Sequence, residues 1–371
     1  MVAARRARLR RACDRHVCRV TYWIAYCKVT RMASAARLKV DGGIPNQLAR
    51  VTDAAVALER DGYDGGWTAE TSHDPFLPLL LAAEHTSRLE LGTNIAVAFA
   101  RNPMIVANIG WDLQAYSKSR FILGLGTQIQ PHIEKRFSMP WSHPARRMRE
   151  FVSALHAIWS AWKDGGKLRF EGDFYTHKIM TPMFTPEPQP YSPPKVFIAA
   201  VGEAMTEMCG EAADGHLGHP MVSKRYLDEV TMPALLRGMQ RAGRRRSDFE
   251  VSSEVMIATG ENEDELAAAT AAVRKQIAFY GSTPAYRRVL ELHGWGDLQT
   301  ELHRLSIVGE WDAMGALIDD EALAAFAVVG PVDTIAAALR GRCHGAVDRV
   351  LPIFFNASQS SITAALKEFR E

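Results

Sequence analysis

The stretch Leu89–Gln128, LELGTNIAVAFARNPMIVANIGWDLQAYSKSRFILGLGTQ, reads as strand, polar elbow, helix and strand. Its first apolar run, Leu89–Val97, is too short for a buried helix and carries β-branched residues, with Gly92-Thr93-Asn94 interrupting it near the middle. Asn102-Pro103 supplies a turn that puts proline at the first position of a helix. Met104, Val106, Ile109 and Leu113 then recur at roughly helical spacing, although Ile105 blurs the apolar face. A second apolar run, Phe121–Leu125, follows Ser119-Arg120 and ends in Gly126-Thr127-Gln128. Two hydrophobic strands joined by a helical crossover make a βαβ unit and therefore a parallel sheet. Ligands of such sheets bind where the strands end, which is where the polar and glycine residues collect here.

The same rhythm runs outward in both directions. Upstream, Leu38–Ile44 and Tyr63–Glu70 read as strands. Asn46 is expected to cap a helix that runs to Arg60, and Asp74-Pro75 leads into a helix over 76–86. Downstream, His143–Trp162 is a long helix with Met148, Phe151, Leu155, Ile158 and Trp159 inward. Lys195–Val201, Asp214–His219, Glu250–Thr259 and Val347–Phe354 complete eight strands. Eight apolar strands alternating with helices over this length predict an α/β fold, a (β/α)8 TIM barrel. Two stretches break the rhythm and are expected over the C-terminal mouth. One, 163–194, holds a hairpin near Phe170–Tyr175 and a proline-rich connection; the other, 280–325, is helical.

Composition narrows the class. With 47% hydrophobic and 23% charged residues the chain is an ordinary globular protein, long enough for one large core. Residues 1–31 carry nine Lys/Arg against the single acid Asp14, a charge of +8, so the remainder is at −6. A mildly acidic body gives no reason to expect nucleic acid, and nothing predicts a membrane partner. Five cysteines, three of them before residue 28, make no disulfide framework, which fits a reducing, cytoplasmic setting. The first 31 residues are expected to be a disordered extension, with Met32 a candidate natural start. Cys13, His16 and Cys18 lack the second half of a zinc pattern.

Glu70 and His73, after the second strand, are candidates for an acid/base pair; a loop cap and a solvated histidine are the plainer alternative. His216 and His219 lack the carboxylates of a barrel metal site, so no metal is expected. Gly202-Glu203-Ala204 opens a helix straight after a strand, which leaves backbone N–H groups free for an anion or makes a simple turn. Gly124-Leu125-Gly126-Thr127 allows a flat ligand close to the backbone, or a tight turn. No GxGxxG opening a βαβ unit, GxxxxGK[ST] or GxSxG occurs.

Several segments recur in order across about residues 38–356: DGYDGGWTAE (61–70), LELGTNIAVAFARNP (89–103), SRFILGLGTQ (119–128), HPARRMREFVSALHAIW (143–159), KVFIAAVG (195–202), GEAADG (210–215) and FAVVGP (326–331). Together they resemble the bacterial luciferase superfamily, in particular its coenzyme F420-dependent oxidoreductases. That resemblance implies a deazaflavin ring across the strand ends, backed by a non-prolyl cis peptide at Asn94–Ile95. It implies that Asn94, Ile95 and Ala96 support the ring, with Gly126 and Thr127 beside it. Val201, Gly202, Glu203 and Ala204 would hold the phosphate end, and a homodimer is implied as well. Sugar-phosphate dehydrogenases of this group place a glutamate acid shortly after the fourth strand; here Gln128, Ile129 and Gln130 stand there, and Thr71 replaces a frequent histidine. The familiar proton donor is therefore expected to be missing or replaced by Glu70 or His73, with Gln128 a further candidate catalytic residue, and sugar phosphate is not the expected substrate. The expected activity is hydride transfer between F420 and an organic small molecule. A reduced-FMN monooxygenase and a non-catalytic cofactor-binding relative are the alternatives.

Overall fold

The computed structural model describes residues 37–370; the expectations for residues 1–31, including the cysteine–histidine group, lie outside them. Eight parallel strands close into a ring: β1 (Lys39–Gly43), β2 (Gly65–Thr68), β3 (Glu90–Thr93), β4 (Phe121–Gly126), β5 (Lys195–Ala199), β6 (Gly215–Gly218), β7 (Glu250–Ala258) and β8 (Arg349–Phe354). Pairing of β8 with β1 and of β6 with β7 completes the closure. This is the expected (β/α)8 barrel; seven strands fall inside their expected segments, and β4 runs one residue past Leu125 to Gly126.

The barrel interior is layered. At its base, Arg349 is bidentate to Asp41 at 2.7 and 2.9 Å, both side chains fully buried, and reaches Glu90 and Glu250 at 3.0 and 3.3 Å. Lys39 and Lys195 close the same group from β1 and β5. Gly65 makes room for it, since a Cβ there would meet Asp41 and Arg349 at 2.6 and 2.7 Å. Above lies an apolar layer of Trp67, Ile122, Phe197 and Leu217, with the Arg349 guanidinium 4.9 Å from the Trp67 ring. Ile95 caps that layer from the mouth side.

The Leu89–Val97 run is two strands rather than one. Gly92 pairs with Ile122, whereas Ala96 pairs with Leu125, so the β3 side has one residue too many for its partner. The excess is taken up at the Asn94–Ile95 peptide, which is cis. Across the interruption the Thr93 hydroxyl stands in for the ladder, donating to the Gly124 carbonyl (2.6 Å) and accepting from the Gly124 N–H (3.0 Å). The helix Pro103–Tyr116 begins as expected, with the Asn102 side chain accepting from Met104 N–H. Asn46 does not cap its helix: its amide crosses to the Ala69 carbonyl at 2.6 Å, tying the ends of β1 and β2 together.

The hairpin Phe170–Glu171/Thr176–His177 packs on helix Pro144–Asp164, with Tyr175 edge to face with the buried Phe151. Its tip is held near that helix's start by Glu150, which accepts from the Asp173, Phe174 and Tyr175 N–H groups. After β7, helix Glu263–Gly281 and the helical pieces up to Phe326 build the cap, and a short strand, Ala327–Val329, pairs with the end of β7. That strand falls just past the segment expected to be wholly helical. Among the described residues no helix is long and apolar enough to cross a membrane.

Candidate active site

The cis turn gathers the mouth. Its Asn94 N–H donates to the Thr68 carbonyl at 2.6 Å, and the Ile95 carbonyl accepts from Glu70 N–H at 3.1 Å, so the turn hangs on β2. The Asn94 side-chain amide spans the barrel and donates to Glu254 Oε1 on β7 at 2.7 Å. The Ile95 side chain lies over Gly126, where a Cβ would meet it at 2.8 Å. Ala96 is fully buried and pairs with Leu125, and Thr127 is half-buried with its hydroxyl on the Gln128 carbonyl.

Glu254 has no cationic partner among the described residues. Burial pushes its carboxyl up to about 8, so it carries a proton at neutral pH. The cap brings aromatic rings to it. Tyr280, at the end of helix Glu263–Gly281, is pushed up to about 12 by burial and then by the Glu254 charge, and Tyr286 is raised for the same two reasons and by Tyr280. His219, beyond β6, packs between them, 4.6 Å from each ring centroid and stacked on Tyr286. Burial pushes its imidazole down to about 3. Its Nδ1 accepts from Met221 N–H (3.2 Å), which leaves the proton on Nε2. The mouth is thus neutral and rich in donors: a protonated carboxyl, two phenols and an imidazole N–H.

The expected acid/base residues lie elsewhere in the bond network. Glu70 reaches the cis turn, but its Oε2 accepts from Val97 N–H (2.7 Å) and from Arg101 (2.5 Å), which also pairs with Asp74. That makes it a brace for the short strand Ala96–Val97. His73 is exposed, with no hydrogen bond among the described residues. Gln128, at a left-handed φ of 60°, turns its side-chain oxygen back to Ile129 N–H. None of the three bonds to the Asn94–Glu254 pair. His216 and His219 do not converge on one point: His216 Nε2 lies 2.8 Å from the Ala200 carbonyl in the closed interior. Phe99 and Trp141 pack edge to face and Trp295 stacks on His293, so these rings serve the packing of core and cap.

Glu254 lies at the middle of β7, four residues short of its end. Its role, and those of Tyr280, Tyr286 and His219, come from contacts across the ring that periodicity does not report.

The second seat lies two strands on from the cis turn. Gly202 caps helix Glu203–Ala212, and the N–H groups of its first turn have no intrahelical partner. A Cβ at Gly202 would find only open space and Arg288 Nη1 at 3.6 Å. Among the described residues Arg288 has no acid partner, while Glu203 pairs with Arg237. Tyr226 donates to the Val201 carbonyl (3.1 Å) and holds the strand end in place. A flat ring on the cis turn and a phosphate beside Gly202 fit these features: smooth backbone and Ile95 at one place, free amides and a free guanidinium at the other.

This chain belongs to the luciferase-like monooxygenase family, whose model matches residues 28–349. An uncharacterized protein of Mycobacterium tuberculosis is 81% identical over 339 residues, covering 91% of this chain and all of that one. An F420-dependent glucose-6-phosphate dehydrogenase of Nakamurella multipartita is 29% identical over 227 residues, 57% of this chain and 63% of the relative. Among solved structures, the coenzyme F420-dependent tetrahydromethanopterin reductase of Methanopyrus kandleri superposes with a TM-score of 0.71 at 20% identity, covering 90% of this chain and 97% of that one. An EDTA monooxygenase of Chelativorans does so with 0.61 at 17%, covering 90% and 93%. At those identities the two structures speak for the fold alone.

Proposed function

We propose that the protein is an F420-dependent oxidoreductase acting on an organic small molecule, with Glu254 as its proton carrier. When bound, the deazaflavin supplies or accepts the hydride at C5. The chain supplies the rest. The cis turn and Ile95 give the ring a flat, apolar floor, and the Gly202 amides with Arg288 hold the phosphate end.

The observation that carries this reading is the protonated Glu254 held by the same Asn94 that forms the ring's floor. A hydride delivered to a carbonyl or imine leaves charge on oxygen or nitrogen. A carboxyl with a pKa near working pH, aimed from the floor, hands over its proton there and regains it in the reverse direction. Glu70, His73 and Gln128 are set aside for that role because their polar atoms face Val97 and Arg101, solvent and Ile129 respectively. Tyr280, Tyr286 and neutral His219 line the substrate side with donors and rings but no charge. This favours an uncharged, weakly polar substrate over a sugar phosphate, in line with Gln128, Ile129 and Gln130 standing where the dehydrogenases carry glutamate.

The F420-dependent relatives support the cofactor, and the monooxygenase likeness keeps reduced FMN as the competing reading. Fluorescence titrations with F420 and FMN side by side decide between them: F420 is expected to bind tightly and FMN weakly. Tight FMN binding without F420 binding would reverse the order. F420 binding with no substrate-dependent bleaching across alcohols, ketones and imines would favour a non-catalytic relative.

A further inference from the structure

The pairing of β6 with β7 sets two neutral donors side by side at the mouth. Its register puts Glu250 opposite Gly215 and Ser252 opposite Leu217, so the next pair on that face is Glu254 and His219. The face is the barrel interior, because Glu250 bonds Arg349 and Leu217 belongs to the apolar layer. Adjacent strands run about 4.8 Å apart, so the two side chains leave the sheet as neighbours. Asn94 donates to Glu254 Oε1, which leaves Oε2 to carry the proton.

The His219 ring is held on three sides. Tyr286 stacks on it at 24°, Tyr280 meets it edge to face at 75°, and the Met221 N–H fixes Nδ1 as an acceptor. The Gln276 side chain engages the Tyr280 hydroxyl, so that phenol is already committed. The remaining ring position, Nε2–H, has no hydrogen bond among the described residues, and burial keeps the imidazole neutral. A neutral imidazole is far too weak an acid to give up that hydrogen, so it stays a donor while charge develops opposite it. Glu254, with a proton that leaves near neutrality, is the complementary case. One neighbour can hold an oxygen and the other can protonate it.

We propose that His219 is a second catalytic residue, whose Nε2–H grips and polarises a substrate carbonyl oxygen while the neighbouring Glu254 supplies the proton. The assignment rests on the F420 reading and narrows its substrate to aldehydes and ketones. A carbonyl oxygen has two lone pairs and accepts from both donors at once, whereas an imine nitrogen has one. In reduction, a hydride from anionic reduced F420 forms a C–H bond at the carbonyl carbon, and the C=O π pair moves onto oxygen. That oxygen takes the Glu254 proton, giving an alcohol, a glutamate carboxylate and oxidised F420. His219 keeps its own proton throughout and stabilises the charge that builds on oxygen.

Infrared spectroscopy reads the polarisation directly, with carbonyl-labelled cyclohexanone, acetophenone and 2-octanone added to the protein and oxidised F420, which cannot reduce them. At least one should show a bound carbonyl stretch below its frequency in buffer. His219→Phe keeps a ring in the stack and should lose most of that shift; His219→Gln, which offers an amide N–H, should regain part of it. Circular dichroism checks that both variants fold. With reduced F420, turnover of the same ketone should fall about 100-fold or more in His219→Phe, while F420 affinity, read by fluorescence, stays at the wild-type value. A wild-type protein that binds F420 but lowers the stretch of none of the three ketones overturns the His219 assignment and leaves the F420 reading standing. An equal shift in wild type and His219→Phe does the same. If F420 does not bind, the F420 reading itself falls, and nitrogen-15 spectra of the histidine-labelled protein judge the donor without cofactor. A His219 ring that stays neutral with its proton on Nε2 from about pH 5 to 8 supports the donor, and one that titrates in that range overturns it.

Discussion

The barrel has a buried carboxylate near each end, and the two are treated in opposite ways. At the base, Asp41 faces a guanidinium at 2.7 and 2.9 Å, and every neighbouring charge is answered: Arg349 by three acids, Glu250 by Lys39, Lys195 and Arg349. Burial alone would lower the Arg349 guanidinium, but Asp41, Glu90 and Glu250 outweigh it and push it up. At the mouth, Glu254 receives one neutral amide and no cation, and it stays protonated. Fully paired charge resists change of state and so makes a plug. A lone carboxyl near neutrality changes state readily and so makes a site. Only the second arrangement is suited to chemistry.

The largest effect should come from breaking the plug. Arg349→Met leaves Asp41 buried without its cation, although Glu90 and Glu250 keep Lys39, so unfolding free energy should fall by about 3–5 kcal/mol in urea melts. Pairing that change with Asp41→Leu should restore much of the loss, because the cost lies in the orphaned charge. A double variant as unstable as the single would show that shape, not charge, governs the base.

At the mouth the sign reverses. Glu254 has a folded pKa near 8 against an ordinary 4.5, so between those values the folded protein holds a proton that the unfolded chain has released. Stability should therefore be full below pH 4.5, decline as pH rises through about 8, and level off above it. Glu254→Gln removes that slope and should be the more stable protein at pH 9, by a few kcal/mol at ~1.4 per pKa unit. Its F420 affinity should stay near wild type while turnover falls on the order of 10²–10⁴-fold, the span of general acid catalysis. Parallel pH–stability curves for the two proteins would place Glu254 in water and end its claim to the proton.

How far the sequence speaks for these two ends depends on how local each signal is. Strand segments are legible because runs such as Phe121–Leu125 and Lys195–Val201 bury both faces, and Asn102-Pro103 reports its cap through its immediate neighbour Met104. Asn46 misleads because a capping residue type in the right place is claimed instead by Ala69, 23 residues on. The cis turn follows from resemblance, not from periodicity, which sees only an interrupted apolar run. The Asn94–Glu254 bond spans 160 positions, and Tyr280, Tyr286 and His219 meet only once the cap folds down. Glu70, by contrast, looks catalytic from its place at a strand end; the Arg101 guanidinium that occupies it lies 31 residues away. Strand order fixes which residues lie at the mouth, but the partner of each polar atom decides which of them is free to act.

The smallest effect probes the outer edge of the plug. Lys195 bonds Glu250 at 2.6 Å, yet its side chain is 55% exposed, so solvent and salt screen the pair. Burial would raise Glu250, but the Lys195 hydrogen bond and the charges of Lys39 and Arg349 hold it down to about 2. The stabilisation from that low value is present above pH 4.5 and lost as pH falls through 2. Lys195→Gln should cost only about 0.5 kcal/mol at neutral pH, and less in high salt, because Lys39 and Arg349 remain. It should also make the acid limb between pH 4.5 and 2 shallower, since less stabilisation is left to lose. The pH 9 limb should not move, because that slope belongs to Glu254 at the other end. A shift of both limbs together would mean that the apolar layer of Trp67, Ile122, Phe197 and Leu217 fails to insulate one end from the other.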